Sequence, residues 1–300
     1  MNHILITGGS GLLGKKLTIA LLKKGCSVSH LSRKTGTDPD VKTFLWDVKK
    51  GTIDANCIRG VDIIVHLAGA GIADKKWTDE RKKEIINSRT KSIGLIYDLL
   101  RSKPHKVKSV ISASGVGYYG DSGNTLMTES SPPAKGFLGD CCLQWEQAVD
   151  EGLKLNLRVV KFRTGVVLAT EAGALPKMAA PIKYGFGAPL DTGKQWIPWI
   201  HIQDALDMYL LGIENENING VYNMAAPFPV TNEELTRAIA KQLHKPLWMP
   251  NIPDFALKLL FGEMSIVVIG SNKVSPAKIE KTGYHFSYLT VAEALKDLYK

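Results

Sequence analysis

The sequence predicts an α/β fold: a doubly wound parallel sheet with a smaller C-terminal substrate lobe. Three observations carry that expectation. An apolar run over residues 3–7 passes directly into Gly8, Gly11 and Gly14, and then into a helical pattern (Leu13, Leu17, Ala20, Leu21) that stops near Gly25. Further apolar runs then alternate with amphipathic stretches, the signature of a sheet covered by helices. Two of the runs, 61–67 and 107–112, are apolar on both faces, as a strand is when helices cover both sides of its sheet.

In chain order, strands are expected at 3–7, 28–31, 44–46, 61–67, 107–112 and 157–162, with helices at 78–100 and 138–153. From about residue 165 glycine and proline accumulate (Gly173, Pro176, Pro181, Gly187, Pro198). This reads as irregular cover over the carboxyl edge of the sheet, where open α/β sheets bind ligands. Thr231 followed by Glu234 forms a capping box that opens a helix running to His244. Residues 246–300 read as a small helical lobe broken by Pro246, Pro250 and Pro253. The expected division is a nucleotide-binding domain over 1–220, with loop insertions over 170–200, and a mainly helical lobe over 221–300.

Composition narrows the function. The chain has 300 residues, 44% hydrophobic and 22% charged, which excludes collagen, coiled coil and wholesale disorder. No stretch approaches the roughly 20 apolar residues of a membrane helix, and the first residues lack the basic region of a signal peptide. A cytoplasmic protein with no membrane partner is expected. The net charge of +9 is scattered in lysine pairs with no block of five like charges, so no nucleic-acid partner is expected. The four cysteines form no C-x-x-C and the seven histidines no H-x-x-x-H; no metal site is expected.

The glycine run carries the first chemistry. Gly8 permits a tight turn, Gly11 lets the backbone approach a pyrophosphate, and Gly14 lets the helix pack against the strand. Ser10, Leu12 and Leu13 lie between them, where free N–H groups and the helix dipole meet the phosphates. NAD enzymes place an acid at the end of the second strand to bond the ribose 2′-hydroxyl. Here that end reads His30-Leu31-Ser32-Arg33-Lys34. Ser32 and Arg33 suit a 2′-phosphate, so NADP(H) is the expected cofactor. Asp47, ending the third strand, either bonds the adenine amino group or caps the next turn.

Several motifs together resemble the extended short-chain dehydrogenases/reductases: 7–14, His66-Leu67-Ala68-Gly69-Ala70, Asn87-Ser88-Arg89 and Ser112-Ala113-Ser114-Gly115-Val116-Gly117-Tyr118-Tyr119-Gly120. More narrowly, the chain is similar to an atypical epimerase-like branch with a C-terminal domain of unknown function, at 163–168, 195–201 and 262–264. The resemblance implies a Rossmann domain, bound NADP(H) and a C-terminal substrate lobe. It implies that Leu67, Ala68 and Gly69 border the cofactor, that Glu84 and Arg89 face it, and that Val166 lies near the nicotinamide end. It also implies a possible homodimer pairing through 138–153.

Ordinary members of that superfamily use a Ser, and a Tyr-x-x-x-Lys pair for proton transfer. No tyrosine here has a lysine four residues later; Leu138 and Cys142 stand at the two positions. Ser114 keeps the serine position, where it hydrogen-bonds a substrate carbonyl or simply the backbone. Tyr118 is the available phenol for proton transfer, or else a packed aromatic. Cys142 reads as a buried helix thiol. Trp196, Trp199 and His201 are expected to line a substrate pocket, and Asp204 to cap the following helix. The expected function is an NADP(H)-dependent oxidoreductase or epimerase acting on a small polar, nucleotide-sugar-like substrate. The alternative is a non-catalytic NADP(H) sensor or scaffold.

Overall fold

In the computed structural model, which describes residues 2–300, the first half of the chain alternates as expected. It runs β1 (His3–Thr7), α1 (Leu12–Lys23), β2 (Ser27–Ser32), β3 (Lys42–Asp47), β4 (Thr52–Ile53), β5 (Ile63–His66), α2 (Asp79–Ser102) and β6 (Ser109–Gly115). A two-residue β7 (Leu126–Met127) precedes α3 (Phe137–Asp150), β8 (Arg158–Thr164) and β9 (Val166–Leu168). The second half holds α4 (Ala174–Lys183), β10 (Trp196–Ile197), β11 (Trp199–His201), α5 (Ile202–Glu214), β12 (Gly220–Met224), β13 (Val230–Thr231) and α6 (Asn232–Gln242). The lobe ends with α7 (Asp254–Phe261), α8 (Ile266–Ile269), β14 (Lys273–Val274), α9 (Ala277–Glu280) and α10 (Val291–Leu298).

Eight strands form the main sheet in the order β12-β8-β6-β5-β1-β2-β3-β4. Every pairing is parallel except β3 with β4. From β1 the chain crosses to β2 on one side and later to β5 on the other, which makes a switch point beside the glycine loop. The register aligns the carboxyl ends: Thr7 lies opposite both Leu31 and His66, His66 opposite Ser112, and Ser114 opposite Arg163. Alternate residues feed two cores. Ile4, Ile6, Val65, Ile111 and Phe162 pack under α1 and α5, while Leu5, Ile64, Val110 and Val159 pack under α2 and α3. That two-sided burial is why the middle strands are apolar throughout. No helix of the described residues is long and apolar enough to cross a membrane.

Three departures from the sequence expectations matter. β12 pairs with β8 from Gly220↔Val160 to Met224↔Thr164, so the sheet continues through the point taken as the domain boundary. The cap of α5 is His201, whose Nδ1 accepts from the Gln203 N–H at 3.0 Å. Asp204, expected as that cap, is instead fully buried and accepts from the N–H groups of Ser287 (2.7 Å) and Tyr288 (3.2 Å). It ties the segment before α10 to α5, because buried backbone donors from a distant segment need a partner. Trp199 and His201, expected to line a pocket, are buried at 0% and 2% exposure. Trp199 packs with Leu168, Leu235 and Leu295 in the lobe core, and its Nε1 donates to the Phe228 carbonyl.

Candidate functional site

Backbone builds the first part of the site. Gly8 sits at φ +72, and a Cβ there would lie 2.9 Å from the Leu67 carbonyl carbon. A Cβ on Gly14 would lie 2.4 Å from the Gly8 oxygen; glycine is required at both positions. Gly11 donates to the Gly8 carbonyl at 3.0 Å and begins α1. No side chain caps α1 and no acid occupies its first turn, so the N–H groups of Leu12 and Leu13 end the helix uncapped beside exposed Ser10. Thr7 Oγ1 accepts from both Leu67 and Ala68 at 3.1 Å, which clamps the two loops together. Sequence reasoning passed over His30. Its ring lies where a Gly9 Cβ would be, 2.5 Å away, and its Nε2 meets Thr18 Oγ1 at 2.8 Å. Thr18 in turn donates to the Gly14 carbonyl at 2.7 Å. Burial holds this imidazole below its usual pKa, so it is a neutral support under the loop.

At the end of β2, Ser32 Oγ accepts from the Lys34 N–H at 3.2 Å. Arg33 and Lys34 are exposed, and among the described residues neither pairs with a carboxylate. Of the two roles open to Asp47, the structure displays the cap: its Oδ1 accepts from Lys49 (2.9 Å) and Lys50 (3.1 Å). A bound dinucleotide fits this cradle, given the uncapped helix end, the tight glycine turn that brings backbone to it and two unpaired cations.

Beyond β5, Arg89 holds the loop that contains Gly69. Its Nη1 donates to the carbonyls of Ala70 (3.0 Å) and Ile85 (2.9 Å), and its guanidinium lies 4.9 Å over the Trp145 ring. A Cβ on Gly69 would meet the Arg89 Cζ at 3.1 Å. Glu84 accepts from Arg81 at 2.7 Å, and Arg81 donates to the Gly71 carbonyl at 2.6 Å. Glu84 and Arg89 therefore brace the same loop, one through Arg81 and one directly. Val166 opens β9 with its N–H on the Pro198 carbonyl at 2.7 Å.

Beyond β6 the site is made of side chains. Ser114 is buried, and its Oγ donates to Glu146 Oε1 at 2.7 Å. Arg163 grips the same carboxylate with two bonds, Nε to Oε1 at 2.8 Å and Nη2 to Oε2 at 2.9 Å. Its Nη1 donates to the Tyr119 hydroxyl (2.9 Å), which donates to Asn223 Oδ1 (2.6 Å). Burial lowers the Arg163 pKa, but its bonds to Glu146 outweigh that and hold it above its usual value. Tyr118 lies with its ring 3.4 Å from the Arg163 Cζ, a stacked cation–π contact. Leu138 and Cys142 close in from α3. A Cβ on Gly117 would lie 3.5 Å from Leu138 Cβ and 3.6 Å from Cys142 Sγ. Burial pushes the Cys142 thiol up to about 12, so it is inert at neutral pH. Glu146, Arg163, Tyr119 and Asn223 were not singled out from sequence as a cluster. The available signal was Lys161 and Arg163 at alternate positions around Phe162, on a strand whose Val159 and Val160 read as core.

Comparison with known proteins identifies the family. Residues 4–225 match the model of the NAD dependent epimerase/dehydratase family. The chain belongs to that family. Residues 252–298 match a domain of unknown function, DUF1731. An epimerase family protein of Staphylococcus aureus is 34% identical over 100% of both chains. The epimerase family protein YfhF of Bacillus subtilis is 34% identical over 99% of this chain and 97% of its own. The crystal structure of human epimerase family protein SDR39U1 with NADPH superposes with a TM-score of 0.88 at 30% identity, covering 99% of each chain. The fold is accordingly the Rossmann-like α/β fold of this family, and its atypical, epimerase-like branch is the one the motifs resemble. Among the described residues no group of His, Cys, Asp and Glu side chains is arranged to hold a metal.

Proposed function

We propose that this protein is an NADP(H)-dependent oxidoreductase of the epimerase-like type, acting in the cytoplasm on a small polar substrate. The observation that carries the reading is the pair of unpaired cations, Arg33 and Lys34, at the end of β2, where no acid stands to receive a ribose 2′-hydroxyl. The N–H groups of Ser10, Leu12 and Leu13 would hold the pyrophosphate, with Gly11 letting the backbone approach it, and Ser32 with Arg33 the 2′-phosphate. Leu67, Ala68 and Gly69 would border the cofactor, on a loop braced by Glu84 and Arg89. Val166 would lie at the nicotinamide end. The cofactor supplies hydride transfer when bound; the protein's own part is to orient the substrate and exclude water.

Ser114 and Tyr118 are the groups assigned to the substrate, at the carboxyl end of β6. The test is a parallel titration with NADPH and NADH, followed by nicotinamide fluorescence. Strong preference for NADPH is expected; equal affinity, or no binding, rejects the cofactor assignment. A screen of carbonyls with NADPH and of alcohols with the oxidised cofactor, on wild type, Ser114→Ala and Tyr118→Phe, then tests the second assignment, which fails if turnover survives in both variants at unchanged NADPH affinity. One observation favours a second reading, a non-catalytic NADP(H) sensor: Leu138 and Cys142 occupy the two dyad positions with groups that transfer no proton at neutral pH. NADPH binding without turnover of any screened carbonyl or alcohol would select it.

A further inference from the structure

We infer that Glu146 fixes Ser114 as a hydrogen-bond acceptor, so that the substrate group bound at Ser114 is a donor, an alcohol hydroxyl rather than a carbonyl oxygen. This rests on the reading above that Ser114 faces the substrate, and it does not depend on the cofactor. A serine hydroxyl has one proton and two lone pairs. The Ser114 proton lies on Glu146 Oε1 at 2.7 Å. Turning that proton toward a substrate carbonyl would exchange a charge-assisted bond to a carboxylate for a weaker neutral one, and the surroundings hold Glu146 as the acceptor. Arg163 binds both carboxylate oxygens, and Lys161 Nζ stands 3.8 Å from Oε2. Among the described residues, Arg163 has no other carboxylate. Neutralising Glu146 would leave a buried guanidinium without its counter-ion. The remaining groups around the carboxylate do not compete. Asp150 bonds Lys161 at 2.6 Å, and the Cys142 thiol one turn back is neutral. The Arg163–Tyr119–Asn223 chain continues with every proton pointing one way, which strengthens the arrangement.

A second observation points the same way. Asn272 uses its Nδ2 on the Val116 carbonyl at 2.8 Å, just past Ser114, and its buried Oδ1 has no partner among the described residues. Gln195 likewise donates to the Leu190 carbonyl at 3.0 Å and leaves Oε1 unmatched. The two are neighbours, because the Asn272 N–H donates to the Trp196 carbonyl at 3.0 Å. Asn272 thus leaves one buried acceptor without a donor close to the turn after β6, which a hydroxyl-bearing ligand would match.

The test uses cyclohexanol and cyclohexanone, two probes that differ at one oxygen, in saturation-transfer NMR on the full chain without cofactor. The wild type is expected to favour the alcohol by about threefold to tenfold, the range of one neutral hydrogen bond. Ser114→Ala should remove the preference and Ser114→Thr retain it. Glu146→Gln offers an amide N–H to Ser114, frees the serine proton and should turn the preference toward the ketone. Equal or ketone-favouring binding by wild type, or saturation of neither probe, overturns the inference. So does a folded Glu146→Gln protein with unchanged preference. If Glu146→Gln does not fold by circular dichroism, the Ser114 pair decides. The NADPH titration is separate, so failure of the cofactor assignment shows there and not here.

Discussion

At the carboxyl end of β1 the candidate site is made of backbone, within one loop from Gly8 to Gly14. At the carboxyl end of β6 it is made of side chains that arrive from β6, α3 and β8, held in register by strand pairing. The first region works by leaving things out: no Cβ, no cap, no acid. The second works by filling: Ser114, Glu146, Arg163, Tyr119 and Asn223 satisfy one another in a buried network. On the proposed function, a cofactor would use the first, and a substrate would meet a pre-set hydrogen-bond direction at the second.

Four measurements would break or sharpen that contrast. Arg163→Met should be the most damaging, since it leaves Glu146 as a buried charge without its bidentate partner. A loss of about 3–5 kcal/mol is expected in urea unfolding, with NADPH affinity retained by any folded fraction. A loss below 1 kcal/mol would mean that the network does not hold the β6 end together. Arg33→Ala should do the opposite, leaving stability unchanged while NADPH binding falls by about 10- to 100-fold, the worth of a charge-assisted bond. NADH binding should not move. Gly14→Ala should cost about 1–3 kcal/mol of overpacking, because the new Cβ lies 2.4 Å from the Gly8 oxygen. It should weaken NADPH and NADH equally, which distinguishes loop geometry from the cation.

The smallest effect concerns His66, which lies between the two regions. It is fully buried, its Nε2 meets Ser92 Oγ at 2.8 Å, and burial together with the Arg89 charge pushes its pKa down to about 3. The unfolded value is 6.5, so the folded state excludes a proton that the unfolded state takes up. The contribution is therefore complete above pH 6.5 and is lost as pH falls from there toward 3. About 1 kcal/mol should be gone by pH 6, read as a fall in Tm relative to pH 8. His66→Asn should flatten that slope.

What was legible in the sequence follows this division. The strand–glycine–helix start was legible because its residues are neighbours and each glycine has a local backbone reason. The capping box was legible for the same cause: Thr231 accepts from Glu234 N and Glu234 reaches back to Thr231 N. The six longer strands of the first half and the helices among them were legible from burial on two faces, whereas the two-residue strands β4 and β7 were not. Asp204 shows where that reading ends. From sequence it is a polar residue near a helix start, a natural cap; its actual partners lie at Ser287 and Tyr288, at a sequence distance no local pattern spans.

That no tyrosine stands four residues before a lysine was equally a sequence fact, while the placing of Leu138 and Cys142 at those positions came from the family resemblance. That Ser114 gives its proton to Glu146, and that β12 carries the sheet past residue 220, were decided only by the tertiary structure. Hydrogen-bond direction in a buried cluster depends on which charges meet there, and parallel strand pairing brings together residues whose sequence separation carries no signal. The sequence by itself set the family's sheet, its glycine loop and the cation at the end of β2, because each is written in adjacent residues. Which groups face one another across the end of β6 was settled by packing.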